Sequence, residues 1–428
     1  MGTFLSIVVA LLALSIIIIV HETGHFIAAK LSGIRVMEFG LFMGPKIISK
    51  TYKGTTYSLR SIPIGGFVAL EGEEEDIESE TSYFSAKPYK KILVSLAGPV
   101  FNMVFAILIL SILFSFSGYA LSTNTIIDEN GPLYEAGLRD GDKIISVDGK
   151  RILDPSEISL ALYPLKKAET LSVVYSRDNV KNEIQVIPQL KGGKRIMLNI
   201  NTQSDSTTVT DLDKSSNGYL AGLRVNDKIT HINDVKVKNV NELSSLVTKN
   251  GLGSIKVTVL RDNQVIDLEF ETIESESPEY YDLGIYYYGS DINVFQAIKH
   301  AVLYSISVVK TVLISIVWLV LGIVKLSDMM GPVGIVSTIG SQIRQPTFIL
   351  FLLNLVNMMA FISINLGVMN LIPFPALDGS KIVIHSIEWI IGRPINQNKL
   401  KIITAVGFGL LLVLLFFTTF NDIVRLFK

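Results

Sequence analysis

His21, Glu22 and His25 stand in the order His-Glu-x-x-His. Residues four apart on a helix share a face, so the two imidazoles can hold one metal ion with Glu22 beside them. Two histidines, a carboxylate able to take a proton from water, and a third ligand from elsewhere make the donor set of a zinc hydrolase. The setting sharpens the motif. Leu11 to Val20, broken only by Ser15, is an apolar run leading straight into it. Ionisable residues at the end of a membrane-type run are costly in lipid, which marks them as functional rather than accidental.

Composition frames what must position these groups. The chain has 428 residues, of which 49% are hydrophobic and 18% charged. Its mean hydropathy is +0.45. That is too apolar for an ordinary soluble protein and too charged for a bundle lying wholly in lipid. A membrane protein with a water-soluble insert satisfies both. The net charge of −1 argues against a nucleic-acid partner. With no cysteine, any zinc is held by histidine and carboxylate. The first lysine is Lys30 and no small-residue cleavage pattern follows the apolar run, so the N-terminal stretch reads as an uncleaved transmembrane helix.

The expected architecture is a polytopic α-helical membrane protein with four transmembrane helices, a membrane-associated β-hairpin and two extracytoplasmic α+β domains. The spans fall at about residues 4–30, 92–116, 348–371 and 402–420. Residues 1–118 form a first membrane half and 347–428 a second. Arg35, Lys46, Lys50, Lys53, Arg60, Lys87, Lys90 and Lys91 lie between the first two spans. They favour the cytoplasm, which puts the N-terminus outside and the metal site toward the cytoplasmic face. Tyr57 to Leu70 reads as a hairpin turning near Pro63 to Gly66, either re-entrant beside the site or an ordinary cytosolic hairpin. The acidic run Glu71 to Glu80 reads as a solvated loop. Asn102, behind the small residues Ala97 and Gly98, either bonds within the bundle or touches substrate.

Residues 120–275 contain a repeat. Tyr134-Glu135-Ala136-Gly137-Leu138-Arg139-Asp140-Gly141-Asp142 returns as Tyr219-Leu220-Ala221-Gly222-Leu223-Arg224-Val225-Asn226-Asp227. Two domains follow, at 120–200 and 201–275. Asn226 replaces Gly141 in the second copy, so a different turn is expected there. Residues 290–346 read as an amphipathic segment on the outer membrane surface, because Thr311 to Val324 is a short apolar run between Lys310 and Lys325. Beyond the third span, Pro373 and Pro375 break the helix ahead of Asp378. A bare Asp-Gly pair reads as a turn. With a two-histidine site lacking a carboxylate at this depth, Asp378 is the best available third ligand. Lys381, Arg393, Lys399 and Lys401 suggest a cytoplasmic loop at 380–402, and the C-terminus outside.

His21-Glu22-Thr23-Gly24-His25, Gly98-Pro99-Val100-Phe101-Asn102, and the stretch from Asn365 to Gly379 together resemble the site-2 protease family, specifically its bacterial regulator-of-sigma-E group. The repeated Ala-Gly-Leu pattern resembles PDZ domains in their permuted form. The resemblance implies cleavage of single-span proteins inside the lipid bilayer of the bacterial cytoplasmic membrane. Membrane-bound anti-sigma factors and remnant signal peptides are such substrates. It implies Zn2+ at His21, His25 and Asp378, with Glu22 as catalytic base. Asn365, Asn370, Pro373 and Pro375 match positions tied to substrate handling, and the Pro63 to Phe67 element would hold substrate extended, which makes Gly65 and Gly66 candidate substrate contacts. The PDZ pair would bind peptide or substrate segments, or serve as a size filter or spacer with no ligand. Ser380 departs from the second glycine of many members. Two other classes compete. One is a proteolytically inactive, membrane-anchored PDZ adaptor with a structural metal site. The other is a metal-ion transporter, which would need more polar residues along several helices.

Overall fold

The computed structural model describes residues 2–73, 77, 79–202, 206–342, 347–393 and 395–426. Helix α1 (Gly2–Leu31) carries the motif. Its length of about 45 Å, at about 1.5 Å per residue, is ample for a membrane. The strands β1 (Val36–Tyr52) and β2 (Thr55–Leu70) follow. Their turn is at Lys53 and Gly54, with φ of 47° and 77°. This corrects the expected turn at Pro63 to Gly66, which lies inside β2. Two successive positive-φ residues match the twist of a hairpin, and that outweighed the proline signal. Phe42 and Gly44 also take positive φ, 68° and 85°. There β1 changes register, so residues 38–41 pair with 66–69 on one side and 56–59 on the other. The segment 66–70 lies at the margin of this sheet. Of the acidic run, Glu74, Glu75, Asp76 and Glu78 lie outside the described residues. Glu71 accepts bonds from the hydroxyls of Ser79 and Thr81.

Helix α2 (Pro88–Ser117) leads to the repeat. The first copy comprises β3 (Tyr119–Ile127), α3 (Pro132–Glu135), β4 (Lys143–Val147), β5 (Lys150–Arg151), α4 (Glu157–Leu162), β6 (Leu171–Arg177), β7 (Val180–Val186) and β8 (Gln189–Met197). The second comprises β9 (Ile200–Thr202), β10 (Val209–Leu212), α5 (Asn217–Leu220), β11 (Lys228–Ile232), β12 (Val235–Lys236), α6 (Val240–Asn250), β13 (Ser254–Arg261) and β14 (Gln264–Glu271). Their sheets run β5-β4-β6-β7 and β12-β11-β13-β14, one plan used twice. The return strands β15 (Ile273–Asp282) and β16 (Ile285–Ser290) pair with β8 and β3. The second copy is therefore inserted in the first, and Leu283 completes the first core beside Ile127 and Leu133. Local sequence pattern stops at the repeat and carries no trace of this long-range pairing. Asn226 adopts φ +74° where Gly141 has +84°. The two turns are alike, because asparagine tolerates the left-handed region.

Among the described residues, five helices are long and apolar enough to cross a membrane, one more than expected. The extra one is α7 (Val294–Val320). The short apolar run is only its second half, since the helix continues through Lys310. The Lys310 ammonium bonds Glu157 Oε2 at 2.6 Å, and Trp318 stacks on Tyr163. Helix α8 (Pro332–Gln342) follows, then α9 (Phe348–Leu371), α10 (Asp378–Ile391) and α11 (Gln397–Leu426). Most of the expected loop at 380–402 is thus α10. Helix α2 is the hub: it packs on α1, α7, α9 and α10. Ala106 and Leu110 meet Ala301 and Val308 of α7 and Ala360 and Ile364 of α9 in one buried cluster.

The two copies share a buried carboxylate. Asp142 accepts from Arg177 and from the Arg139 amide, and Asp227 does the same with Arg261 and Arg224. Burial pushes the Asp142 carboxyl up, but the Arg177 bonds and the Arg139 amide hold it below the ordinary aspartate value. A depressed acid stabilises the fold above its unfolded pKa of about 3.9, and that contribution is lost as pH falls through the lower folded value. Asp142→Asn should therefore lower the unfolding midpoint of this domain at pH 7. The gap from wild type should close as pH falls below that of an ordinary aspartate, as read by thermal unfolding in detergent.

Candidate metal centre

Helix α1 supplies His21, Glu22 and His25, and the first turn of α10 supplies Asp378. His21 Nε2 lies 3.0 Å from Asp378 Oδ2 and 3.1 Å from His25 Nε2, and His25 Nε2 lies 3.3 Å from the same carboxylate oxygen. A tetrahedral zinc with bonds of about 2.0–2.1 Å has donor–donor edges of about 3.3 Å. The remaining ring nitrogens are taken. His25 Nδ1 lies 2.7 Å from the Val94 carbonyl, which only accepts, so the proton is on Nδ1 and Nε2 offers a lone pair. Asn102 Nδ2 lies 3.2 Å from His21 Nδ1, while the buried Asn102 Oδ1 has no partner. Exchanging the two ends of that amide gives the orphaned oxygen the His21 Nδ1–H, which leaves Nε2 of His21 as a second lone pair. Three electron-rich donors facing one point repel each other unless a cation sits between them. The residues present fit a zinc ion.

Close helix contact makes this convergence possible. A Cβ on Gly98 of α2 would lie 2.7 Å from His25 Cε1 and 2.8 Å from His21 Cε1. One on Gly24 would lie 2.8 Å from the Ala97 carbonyl carbon. Glycine at both positions lets α1 and α2 touch backbone to backbone. On the other side, the loop from Ile372 to Leu377 turns the chain from α9 into α10. Ala376 there has φ +80°, a region alanine rarely adopts, two residues before Asp378. Asp378 opens α10, where the helix dipole favours a negative group. A Cβ on Gly379 would strike the Leu371 carbonyl carbon at 2.5 Å, so the two helices are drawn together at this corner.

These groups line a cavity of about 330 Å³ together with Val68, Leu70, Tyr83, Ser95, Leu366, Asn370 and Lys381. Gly66 approaches Glu22: a Cβ there would lie 3.9 Å from Glu22 Cγ. Gly65 donates its N–H to Ser15 Oγ at 3.2 Å, and that hydroxyl also lies 3.0 Å from the Pro63 carbonyl. A serine inside the first apolar helix thus ties the hairpin down beside the centre. Asn102 is fully buried behind His21 and lies outside the cavity lining. Asn365 also lies outside it and bonds the Phe361 carbonyl at 2.7 Å. Pro373 and Pro375 shape the loop, with Pro375 against Gly407 of α11. Ser15, Gly24, Tyr83 and Lys381 were not among the site residues expected from the sequence. Ser15 had a signal, as the one polar residue in an apolar run; Tyr83 had none. Gly98→Ala should purify without zinc and without activity, since both imidazoles must leave the point they share to clear the new methyl; metal analysis of the purified protein checks it.

A family model for peptidase family M50 matches residues 9–414. A Clostridium acetobutylicum protein provisionally named a zinc metalloprotease is 26% identical over 422 residues, 99% of this chain and 98% of that one. A Vibrio cholerae protein with the same provisional name is 28% identical, covering 97% of this chain and 98% of its own. The regulator of sigma-W protease RasP of Bacillus subtilis is 29% identical over 423 residues, 95% of each chain. The chain belongs to peptidase family M50 and is a multi-pass membrane zinc metalloprotease of the site-2 type.

Proposed function

We propose that this metalloprotease hydrolyses peptide bonds within the membrane-spanning segments of single-span proteins, with Zn2+ held by His21, His25 and Asp378. The observation that carries the reading is the meeting of these three donors beside Glu22, next to apolar helix interior. When bound, the ion lowers the pKa of a water toward about 7 and polarises the scissile carbonyl. The Glu22 carboxylate takes the proton from the attacking water and later delivers a proton to the leaving amine nitrogen. Asn102 and the Val94 carbonyl keep the two imidazoles aimed at one point.

A helix hides its carbonyls in its own hydrogen bonds, so substrate has to unwind before attack. The margin segment 66–70 supports a way to hold it. Val68 and Leu70 line the cavity, and an extended peptide can add as a further strand along such an edge. Gly65 and Gly66 keep that edge close to Glu22, and Asn370 faces the same space. Asn365, Pro373 and Pro375 act less directly, through the helix end and the loop that present Asp378.

In this reading α1, α2, α9 and α11 cross the membrane and α7 lies along its outer surface. The ties from Lys310 and Trp318 of α7 to the first β domain, a water-soluble body, support that placement. Both termini and the two PDZ-like domains are then outside, and the metal centre faces the cytoplasm, in keeping with the basic residues between α1 and α2. The PDZ-like pair binds peptide or substrate segments. The RasP relative is named a regulator of sigma-W protease, which supports a role in sigma-factor control; in this reading the protein acts by regulated intramembrane proteolysis in a bacterial cytoplasmic membrane, on anti-sigma factors or remnant signal peptides.

Purified Glu22→Gln should keep zinc and lose cleavage of a single-span reporter by about 10²–10⁴-fold, the range of general acid–base catalysis. Asp378→Asn should lose both zinc and cleavage. Metal content and product formation, measured on the same preparations, decide between these roles.

A further inference from the structure

Helix α10 carries its ionisable groups on one stripe. Asp378, Lys381, His385 and Glu388 recur at helical spacing. Asp378 belongs to the metal centre, and Lys381 lines the cavity and pairs with Glu73. His385 and Glu388 are buried further along and touch nothing that reacts. His385 Nδ1 lies 2.8 Å from Glu388 Oε2. A carboxylate only accepts, so Nδ1 carries the proton, and His385 Nε2 accepts the Tyr83 hydroxyl at 2.9 Å. Tyr83 keeps its proton, because burial pushes its phenol up to about 12. Glu388 Oε1 accepts the Ile395 amide at 3.0 Å, and Lys91 Nζ of α2 lies 3.8 Å from Oε2. Lys91 and Glu388 are only 4% and 3% exposed.

Burying an ion pair rarely stabilises a fold more than apolar side chains of the same size. The use of this cluster therefore lies in the geometry it imposes. It fastens α10 to α2 through Lys91 and to the segment before α2 through Tyr83. His21 and His25 are already locked to α2 at the Gly24–Gly98 contact. Where α10 sits on α2 thus decides where Asp378 stands relative to the two imidazoles, and misplacement by about 1 Å is enough to weaken a site.

We infer that Tyr83, His385, Glu388 and Lys91 are positioning residues that hold Asp378 in register with His21 and His25 and so set zinc affinity from as far as about 15 Å along α10. The inference rests on the reading that Asp378 is a zinc ligand.

The test measures zinc affinity of the full-length protein by chelator competition, together with the unfolding midpoint of the zinc-free protein. His385→Leu and Tyr83→Phe keep the packing volume and break the relay; each should weaken zinc binding about 10–100-fold, as outer-shell losses do. Tyr83→Phe, which leaves the His385–Glu388 pair intact, should do so with the zinc-free midpoint little changed, while His385→Leu also lowers that midpoint by stripping buried Glu388 of a donor. His385→Gln, whose amide can accept from Tyr83 and donate to Glu388, should bind zinc like wild type. Wild-type affinity in both His385→Leu and Tyr83→Phe overturns the inference, as does a His385→Gln loss equal to that of His385→Leu. If His385→Leu does not fold, Tyr83→Phe decides alone. Asp378→Asn, measured alongside, separates the two levels. Undiminished zinc affinity there overturns the ligand assignment itself, whereas lost affinity there with unaffected Tyr83→Phe overturns only the positioning role.

Discussion

Everything in this protein depends on three lone-pair donors being forced to within about 3.3 Å of one another, the edge of a zinc tetrahedron. Left alone, such donors separate. They are held by the backbone contact of α1 and α2, where Gly24 and Gly98 leave no side chain between the helices. The hydrogen bond from His25 to the Val94 carbonyl also depends on that contact, because Val94 lies one turn before Gly98 on α2. Asn102 lies one turn after it, behind His21. One face of α2 therefore carries, in succession, the partner of one imidazole, the gap that admits both, and the partner of the other.

A second constraint comes from lipid. Irregular backbone is tolerated at membrane depth only where protein covers it. Two irregular segments meet at the centre: the Pro63 to Gly66 stretch and the Ile372 to Leu377 loop. Ser15 satisfies the first by accepting the Gly65 amide from inside α1. The second is covered by α11, whose Gly407 packs on Pro375, and by Gly379 against the end of α9. The same two segments lead into the strand margin and the carboxylate, so the chain departs from regularity just before Val68 and Leu70 and just before Asp378, which line the cavity.

The sequence disclosed what residue chemistry alone demands. A metal site without cysteine needs His21, His25 and a carboxylate, and a carboxylate behind two helix-breaking prolines is conspicuous. Apolar runs disclosed four long helices. The rest depends on who stands opposite whom. Asn102 could be read as facing substrate or bundle, and no local pattern discloses that it stands 3.2 Å from His21. The hairpin turn fell at Lys53 and Gly54 because two positive-φ residues there outweigh a proline ten residues later. Helix α7 was cut short at Lys310, since no local pattern reveals that the ammonium finds Glu157 in another domain. The insertion of one repeat into the other was hidden for the same reason: β15 and β16 pair with strands more than 75 residues away.

The most direct test of the account is zinc K-edge absorption spectroscopy on the purified full-length protein. The account predicts one bound zinc with two imidazole nitrogens and a carboxylate oxygen in its inner coordination sphere. A zinc coordinated without imidazole, or an active protein that holds no metal, would contradict it.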